Sequence, residues 1–212
     1  MAELSTGQRI HRAALRLFAT YGFAGTGIRK IAEEAGINVA SLYHYVGTKE
    51  DLLERMMNES MTELLAPARD VSQGGAGPAE RVRALVDLHV RRHASHAQLC
   101  RVGDTELRSL TKARRARIVA LRDEYQAIWE DAIATGSAAG EFAVPDVKTA
   151  TMAVLQMCTG VAYWYSPRGR LSLDEVSDAF VAMATALLRG GTPGDLPDGL
   201  APRSRLRTEV TA

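Results

Sequence analysis

The sequence predicts an all-α protein of about nine helices. Three observations carry this. Apolar residues recur at three- and four-residue spacing through most of the chain, the period of a helix buried along one face. No stretch alternates apolar and polar residues as a half-buried strand would. Gly and Pro gather in short clusters that divide the periodic stretches from one another.

The first helix follows Ser5, where Ser5 and Gln8 have capping-box spacing. Its buried face runs through Ile10, Ala14, Leu17, Phe18 and Tyr21, and Gly22 suits its end. A short second helix follows Thr26 with Ile28, Ile31, Ala32 and Ala35 inward, and Gly36 stops it. The third starts near Asn38 and buries Leu42. Thr48 and Asp51 form a second capping signature, opening a long amphipathic helix through Leu52, Leu53, Met56, Met57, Met61, Leu64 and Leu65. Residues 72–78 read as a turn or linker. Helical patterns resume at 79–101, 104–109, 111–136, 146–165 and 172–190, with breaks expected at Gly103, at 136–145 and at 166–169. The tail from 191 to 212, poor in large apolar residues, is expected to be flexible.

Composition narrows the function classes. The chain has 212 residues, 46% hydrophobic and 24% charged, which suits a core-forming protein of one large domain or two small ones. Its apolar runs are too short to span a bilayer, and the N-terminus shows no apolar signal region. Two isolated cysteines, Cys100 and Cys158, make neither a disulfide framework nor a four-cysteine zinc site, so a reducing cytoplasm is expected. No Gly-x-Ser-x-Gly, Walker, Rossmann or His-Glu-x-x-His motif appears, and no cofactor or bound metal is expected. The net charge of +1 argues at first against a nucleic-acid partner. The charge is polarised, however: residues 1–30 carry +4 and residues 31–60 carry −4. A few placed contacts, rather than a broad basic field, would then carry any DNA affinity.

The segment from Ile28 to Tyr45 has the makings of a helix-turn-helix. Two short helices crossing steeply need a tight turn between them, and Gly36 accepts the left-handed backbone such a turn uses. Ala32 is small enough for close packing four residues earlier, and Leu42 can pin the second helix six residues later. A helical hairpin without DNA shares that spacing, so these residues alone leave both readings open.

The stretch from Thr26 to Leu53, TGIRKIAEEAGINVASLYHYVGTKEDLL, resembles the TetR-family DNA-binding domain. The run Leu42-Tyr43-His44-Tyr45 followed by Lys49 and Glu50 is its most diagnostic part. The resemblance covers residues 5–60, and the later helix lengths match that family's layout. It implies a helix-turn-helix DNA-binding domain at 1–50, a ligand-binding and dimerisation domain at 51–190, and a homodimeric repressor released from a palindromic operator by a small effector. Two positions depart from the usual pattern. Gly27 stands in place of a second Thr or a larger residue, and Val46 in place of a Phe under the recognition helix.

The resemblance assigns roles position by position. Thr26 at a helix N-terminus offers a hydroxyl and backbone N–H groups to phosphate, or serves as a plain N-cap. Tyr43, His44 and Lys49 match phosphate contacts. Arg29 can reach base edges or phosphate. Asn38, Val39, Ala40 and Ser41 open the recognition helix and are the expected base readers, Val39 and Ala40 by apolar contact alone.

The second half is less specific. His89, His93, His96 and Cys100 continue the inward stripe of Val82, Leu85 and Val86, within about 60° of one another on the helix. They line a cavity, bind a metal in adjacent pairs, or sit as satisfied core histidines; all four cannot share one ion, because they span about 16 Å of axis. Tyr125, Trp129, Met157 and Trp164 are candidates for an apolar ligand wall or for core. The cluster Lys112, Arg114, Arg115 and Arg117 can pair with phosphates or be a solvated face. Gly160, Val176, Phe180, Met183 and Leu187 are expected at a dimer interface. The segment GVAYWYSPRGRLSLDE (160–175) is similar to a subgroup of the family that senses acyl-CoA thioesters. Two alternatives stand beside this reading: a TetR-type repressor of an efflux or stress gene sensing a drug-like ligand, and an all-helical metal-dependent enzyme supported only by the histidine stripe.

Overall fold

A computed structural model of the chain describes residues 4–190, and the expected flexible tail at 191–212 lies outside the described residues. Within them the chain is helical throughout, with no strand. Three short helices come first: α1 (Thr6–Tyr21), α2 (Ile28–Glu34) and α3 (Val39–Val46). There follow α4 (Lys49–Gln73), α5 (Pro78–Ser95), α6 (Ala97–Glu106), α7 (Lys112–Ala138), α8 (Val147–Thr159), α9 (Val161–Trp164) and α10 (Leu173–Arg189). A single residue, Gly160, parts α8 from α9.

Local sequence sets the helix starts. Capping boxes form at Ser5 with Gln8, at Thr48 with Asp51 and at Ser172 with Glu175. Each satisfies two backbone donors that a helix start leaves unpaired. Asn38 and Asp146 cap α3 and α8 through single bonds of 2.7 Å from the N–H groups of Ser41 and Thr149.

The expected helix over 79–101 is two helices. It breaks at His96, where φ is −121° and ψ 36°, while Gly103 lies inside α6 instead of ending a helix. Packing explains both. The stripe of α5, from Val82 to Val90, buries in one core, whereas Leu99 and Val102 of α6 bury in another. The break at His96 turns α6 away from the α5 stripe and toward the other core. The expected helix at 104–109 is the end of α6 followed by a 3-10 turn at Leu107–Ser109.

Those two cores organise the molecule. The N-terminal core gathers Ile10, Leu17 and Phe18 of α1, Ile31 and Ala32 of α2, and Leu42 and Val46 of α3. It also takes Leu52, Leu53, Met56 and Met57 from α4, Leu99 and Val102 from α6, and Ile118 from α7. The second core holds Leu64 and Leu65 of α4, the α5 stripe, Tyr125 to Ile133 of α7, and residues of α8 and α10. Thus α4 and α7 each pass through both cores, and the packing does not end at residue 50. At the far end of α7, Gly136 lies so close to Phe142 that a Cβ would sit 2.3 Å from the ring.

Candidate functional site

The N-terminal helices leave the outer face of α3 open to solvent. Gly36, at φ +66°, makes the turn between α2 and α3. The Ile37 N–H donates to Ala32 O at 3.0 Å, and fully buried Leu42 pins α3 to the N-terminal core. This leaves Asn38, Ala40, Tyr43, His44 and Tyr45 exposed, with Val39 and Ser41 half-buried beside them. Tyr43 is 52% exposed, so its hydroxyl faces outward rather than into a core. Arg29 is exposed at the start of α2. Asn38 has one committed atom: its Oδ1 holds the Ser41 N–H, leaving its amide NH2 for other partners. Tyr45, exposed like Tyr43, was not singled out from the sequence; its place in the aromatic run Tyr43-His44-Tyr45 is the signal for it.

Two expected phosphate contacts are corrected. Thr26 is 1% exposed, and its hydroxyl donates inward to Gly22 O at 2.8 Å, with Leu17 O also within 3.2 Å. It ties off the end of α1, and α2 is instead preceded by Gly27, which makes no side-chain cap. Lys49 is also turned inward. Its Nζ donates to Phe23 O and Thr26 O, each at 2.7 Å, and lies 4.1 Å from the Phe23 ring centroid. Burial lowers its pKa, partly offset by Glu106. The ammonium is a bolt between the α1–α2 loop and α4, not a free cation.

Two members of the cation cluster of α7, Arg114 and Arg117, are likewise spent on the protein. Arg114 bonds Asp51 at 2.5 Å and Glu54 at 2.8 Å, and Arg117 bonds Glu54 at 2.5 Å. Three of the six acids of residues 31–60, Glu50, Asp51 and Glu54, are therefore turned toward α7 and paired there. Arg115 is exposed at the rim of a separate surface groove, and Lys112 is exposed.

A second site opens among α4, α5, α7 and α8. It is a cleft of about 530 Å³ with Met61, Leu64 and Leu155 as apolar wall. His89, His93, Asp104, Arg122, Gln126 and Tyr163 supply polar groups. A lobe of about 50 Å³ continues past His93 toward Arg92 and Cys100. His89 is saturated: its Nδ1 pairs with the Tyr125 hydroxyl at 3.1 Å and its Nε2 with Thr159 Oγ1 at 3.0 Å. Burial, and then His93, push its pKa well down, so the ring is neutral. Burial also raises the pKa of Tyr125. With both nitrogens of His89 used, the metal reading has no ligand there. Among the described residues no group of three or more His, Cys, Asp or Glu is placed to hold a metal ion.

The other expected ligand residues fall outside the cleft. Trp129 is fully buried behind His89, edge-on to its ring at 5.9 Å, and Met157 packs against the second core. Trp164 is 55% exposed and stacks on Phe180 with centroids 6.0 Å apart. His96 is exposed at the α5–α6 break, because that break turns it off the α5 stripe. Asp104, Arg122 and Gln126 were not singled out as cleft residues. Asp104 and Arg122 belong to a run that reads as surface charge, and only the α6–α7 packing brings them together at 3.3 Å.

The expected interface residues divide. Val176 and Phe180 are buried in the second core of this chain. Gly160 sits half-buried at the α8–α9 joint. Met183 and Leu187 are exposed on α10, as are Met152 on α8 and Tyr163 and Trp164 on α9.

Comparison with known proteins agrees with this two-part anatomy. The family described as bacterial regulatory proteins, tetR family, matches residues 10–56, and the tetracyclin repressor-like C-terminal domain matches residues 75–188. The chain belongs to the TetR family of bacterial transcriptional regulators. It is 29% identical over 174 residues to the HTH-type transcriptional repressor KstR2 of Mycobacterium tuberculosis (strain ATCC 25618 / H37Rv), covering 80% of this chain and 86% of that one. A solved structure of AibR in complex with isovaleryl coenzyme A and operator DNA superposes with a TM-score of 0.76 at 28% identity, over 84% of this chain and 97% of that one. A tetR-family regulatory protein from Rhodococcus RHA1 gives 0.81 at 25% identity, over 89% and 100%. The family and these relatives are regulators rather than enzymes. No helix among the described residues is long and apolar enough to cross a membrane.

Proposed function

We propose that the chain is a ligand-released transcriptional repressor working in the cytoplasm. In this reading a homodimer sets two copies of α3 on a palindromic operator, with half-sites about one helical turn or a small multiple apart. Arg29, Asn38, Val39, Ala40, Ser41, Tyr43 and His44 face the DNA, from residues 1–50. The remainder to residue 190 holds the effector and the second subunit. Met183 and Leu187, with Met152 and Trp164, are the apolar side chains that a partner copy would cover.

One observation carries the reading: the cleft and the DNA-binding unit are built on the same helices. Asp104 on α6 and Arg122 on α7 line the cleft, while Leu99 and Val102 of α6 and Ile118 of α7 complete the N-terminal core. An effector that repositions α6 against α7 therefore moves the floor on which α1 to α3 rest. Two dimer states with different α3 separation are sufficient, and an effector binding one better shifts the population. A coupling of about 1–3 kcal/mol changes operator affinity roughly 5- to 150-fold.

The cleft volume and its apolar wall with a polar end suit an apolar or acyl-CoA-type effector. The coenzyme A thioester in the AibR complex supports that class. Fluorescence anisotropy with the palindrome upstream of the chain's own gene tests the reading. Tight binding over scrambled DNA, released by an acyl-CoA, is the expected result. Equal binding to both DNAs would overturn it.

A further inference from the structure

The cleft contains one polar atom that packing has oriented and left free. His93 Nδ1 lies 2.9 Å from the carbonyl oxygen of His89. A carbonyl can only accept, so Nδ1 carries the ring proton and Nε2 is left with a lone pair. Nε2 has no hydrogen-bond partner among the described residues. Nor is it sealed in: it is absent from the fully buried unpaired atoms, and the 8% of His93 that remains exposed faces the cleft it lines.

The ring is fixed in that state. It stacks on His89 with centroids 3.9 Å apart and planes 11° from parallel. His89 in turn is held at both nitrogens by Tyr125 and Thr159. Burial, with Arg92 and Arg122 nearby, brings the His93 pKa down to about 4, against the His89 hydrogen bond that raises it. The ring is neutral near pH 7, and Nε2 is an acceptor only.

Arg122 Nη2 already donates to Gly103 O at 3.0 Å and to Asp104 at 3.3 Å. A carboxylate brought to His93 would set lone pair against lone pair beside Asp104. A hydroxyl or an amide N–H would complete the bond.

We propose that His93 is the specificity-determining residue of the cleft, selecting an effector with an apolar body and a neutral hydroxyl or N–H donor placed against α5. The inference rests on the effector-site reading of the cleft and narrows it to a ligand chemistry.

Calorimetry on the full chain with cyclododecanol and cyclododecanone tests it, since the two rings differ only in hydroxyl against ketone. The wild type is expected to bind the alcohol about five-fold tighter, the size of one net hydrogen bond. In His93→Phe the ratio is expected to fall to about one. In His93→Gln, whose amide oxygen accepts, the preference is expected to return in part. Equal affinities in the wild type, an unchanged preference in His93→Phe, or binding of neither ring would overturn the proposal. Anisotropy with operator DNA on the same samples separates the two readings. Lost operator selectivity strikes the repressor function itself, whereas intact selectivity without an alcohol preference strikes only the role of His93.

Discussion

The ammonium of Lys49 and the main-chain carbonyl of Thr26 are 2.7 Å apart, joining the start of α4 to the loop before α2 across 23 positions of sequence. The lysine thus braces the DNA-reading helices, with two of its three N–H groups held by the chain itself. Lys49→Met should cost about 1.5–3 kcal/mol in urea unfolding, the range for hydrogen bonds to a charged group. It should lower operator affinity while leaving the salt dependence of binding unchanged. Arg29→Ala, at an exposed position, should do the opposite: stability nearly constant, and the slope of log K against log salt reduced by about 1.

Tyr43 and His44 present side chains without supporting the core. Alanine at either should keep unfolding free energy within about 0.5 kcal/mol of wild type, as at other open surface sites. Operator affinity should fall about ten-fold in anisotropy titrations. A loss of stability of the same size as the loss of affinity would place these residues in packing instead.

Acid should weaken the fold through His93 before it reaches most carboxylates. The unfolded histidine takes a proton near pH 6.5, but in the folded chain burial lowers its pKa to about 4. Stability from this group is complete above pH 6.5 and is lost as pH falls from there toward 4, by about 3 kcal/mol in all. Urea titrations at intervals across that range should show the decline. In His93→Gln the slope should be smaller by up to one proton.

The two halves of α10 should respond differently to substitution. Met183→Glu with Leu187→Glu should leave each subunit folded but shift sedimentation from dimer to monomer, because both side chains are exposed. Phe180→Ala removes a buried ring packed in the second core and should cost about 3–5 kcal/mol. Circular dichroism melts distinguish the two outcomes.

Much of the architecture is legible in the residues themselves. Helix starts at Ser5, Thr48 and Ser172 follow from side chains three residues apart, and the turn at Gly36 from one conformational requirement. These signals are local. Position 96 has no such signal: no Gly or Pro stands there, and the change of direction shows only in the cores that α5 and α6 enter. The same distinction runs through the sites. A sequence shows that Thr26 and Lys49 carry donors, but not that carbonyls of the chain itself have taken them. Arg122 and Asp104 read as surface charge because their meeting depends on how α6 lies on α7.

The passage of α4 and α7 through both cores bears on how such regulators can be recombined. Eight of the eighteen buried residues of the N-terminal core lie beyond position 50. A chimera spliced there would graft foreign DNA-reading helices onto a seat cut for others, with Leu99, Val102 and Ile118 meeting side chains they do not fit. New operator specificity is therefore better moved as the solvent face of α3 alone, or with α6 and the first turns of α7 carried along as part of the graft.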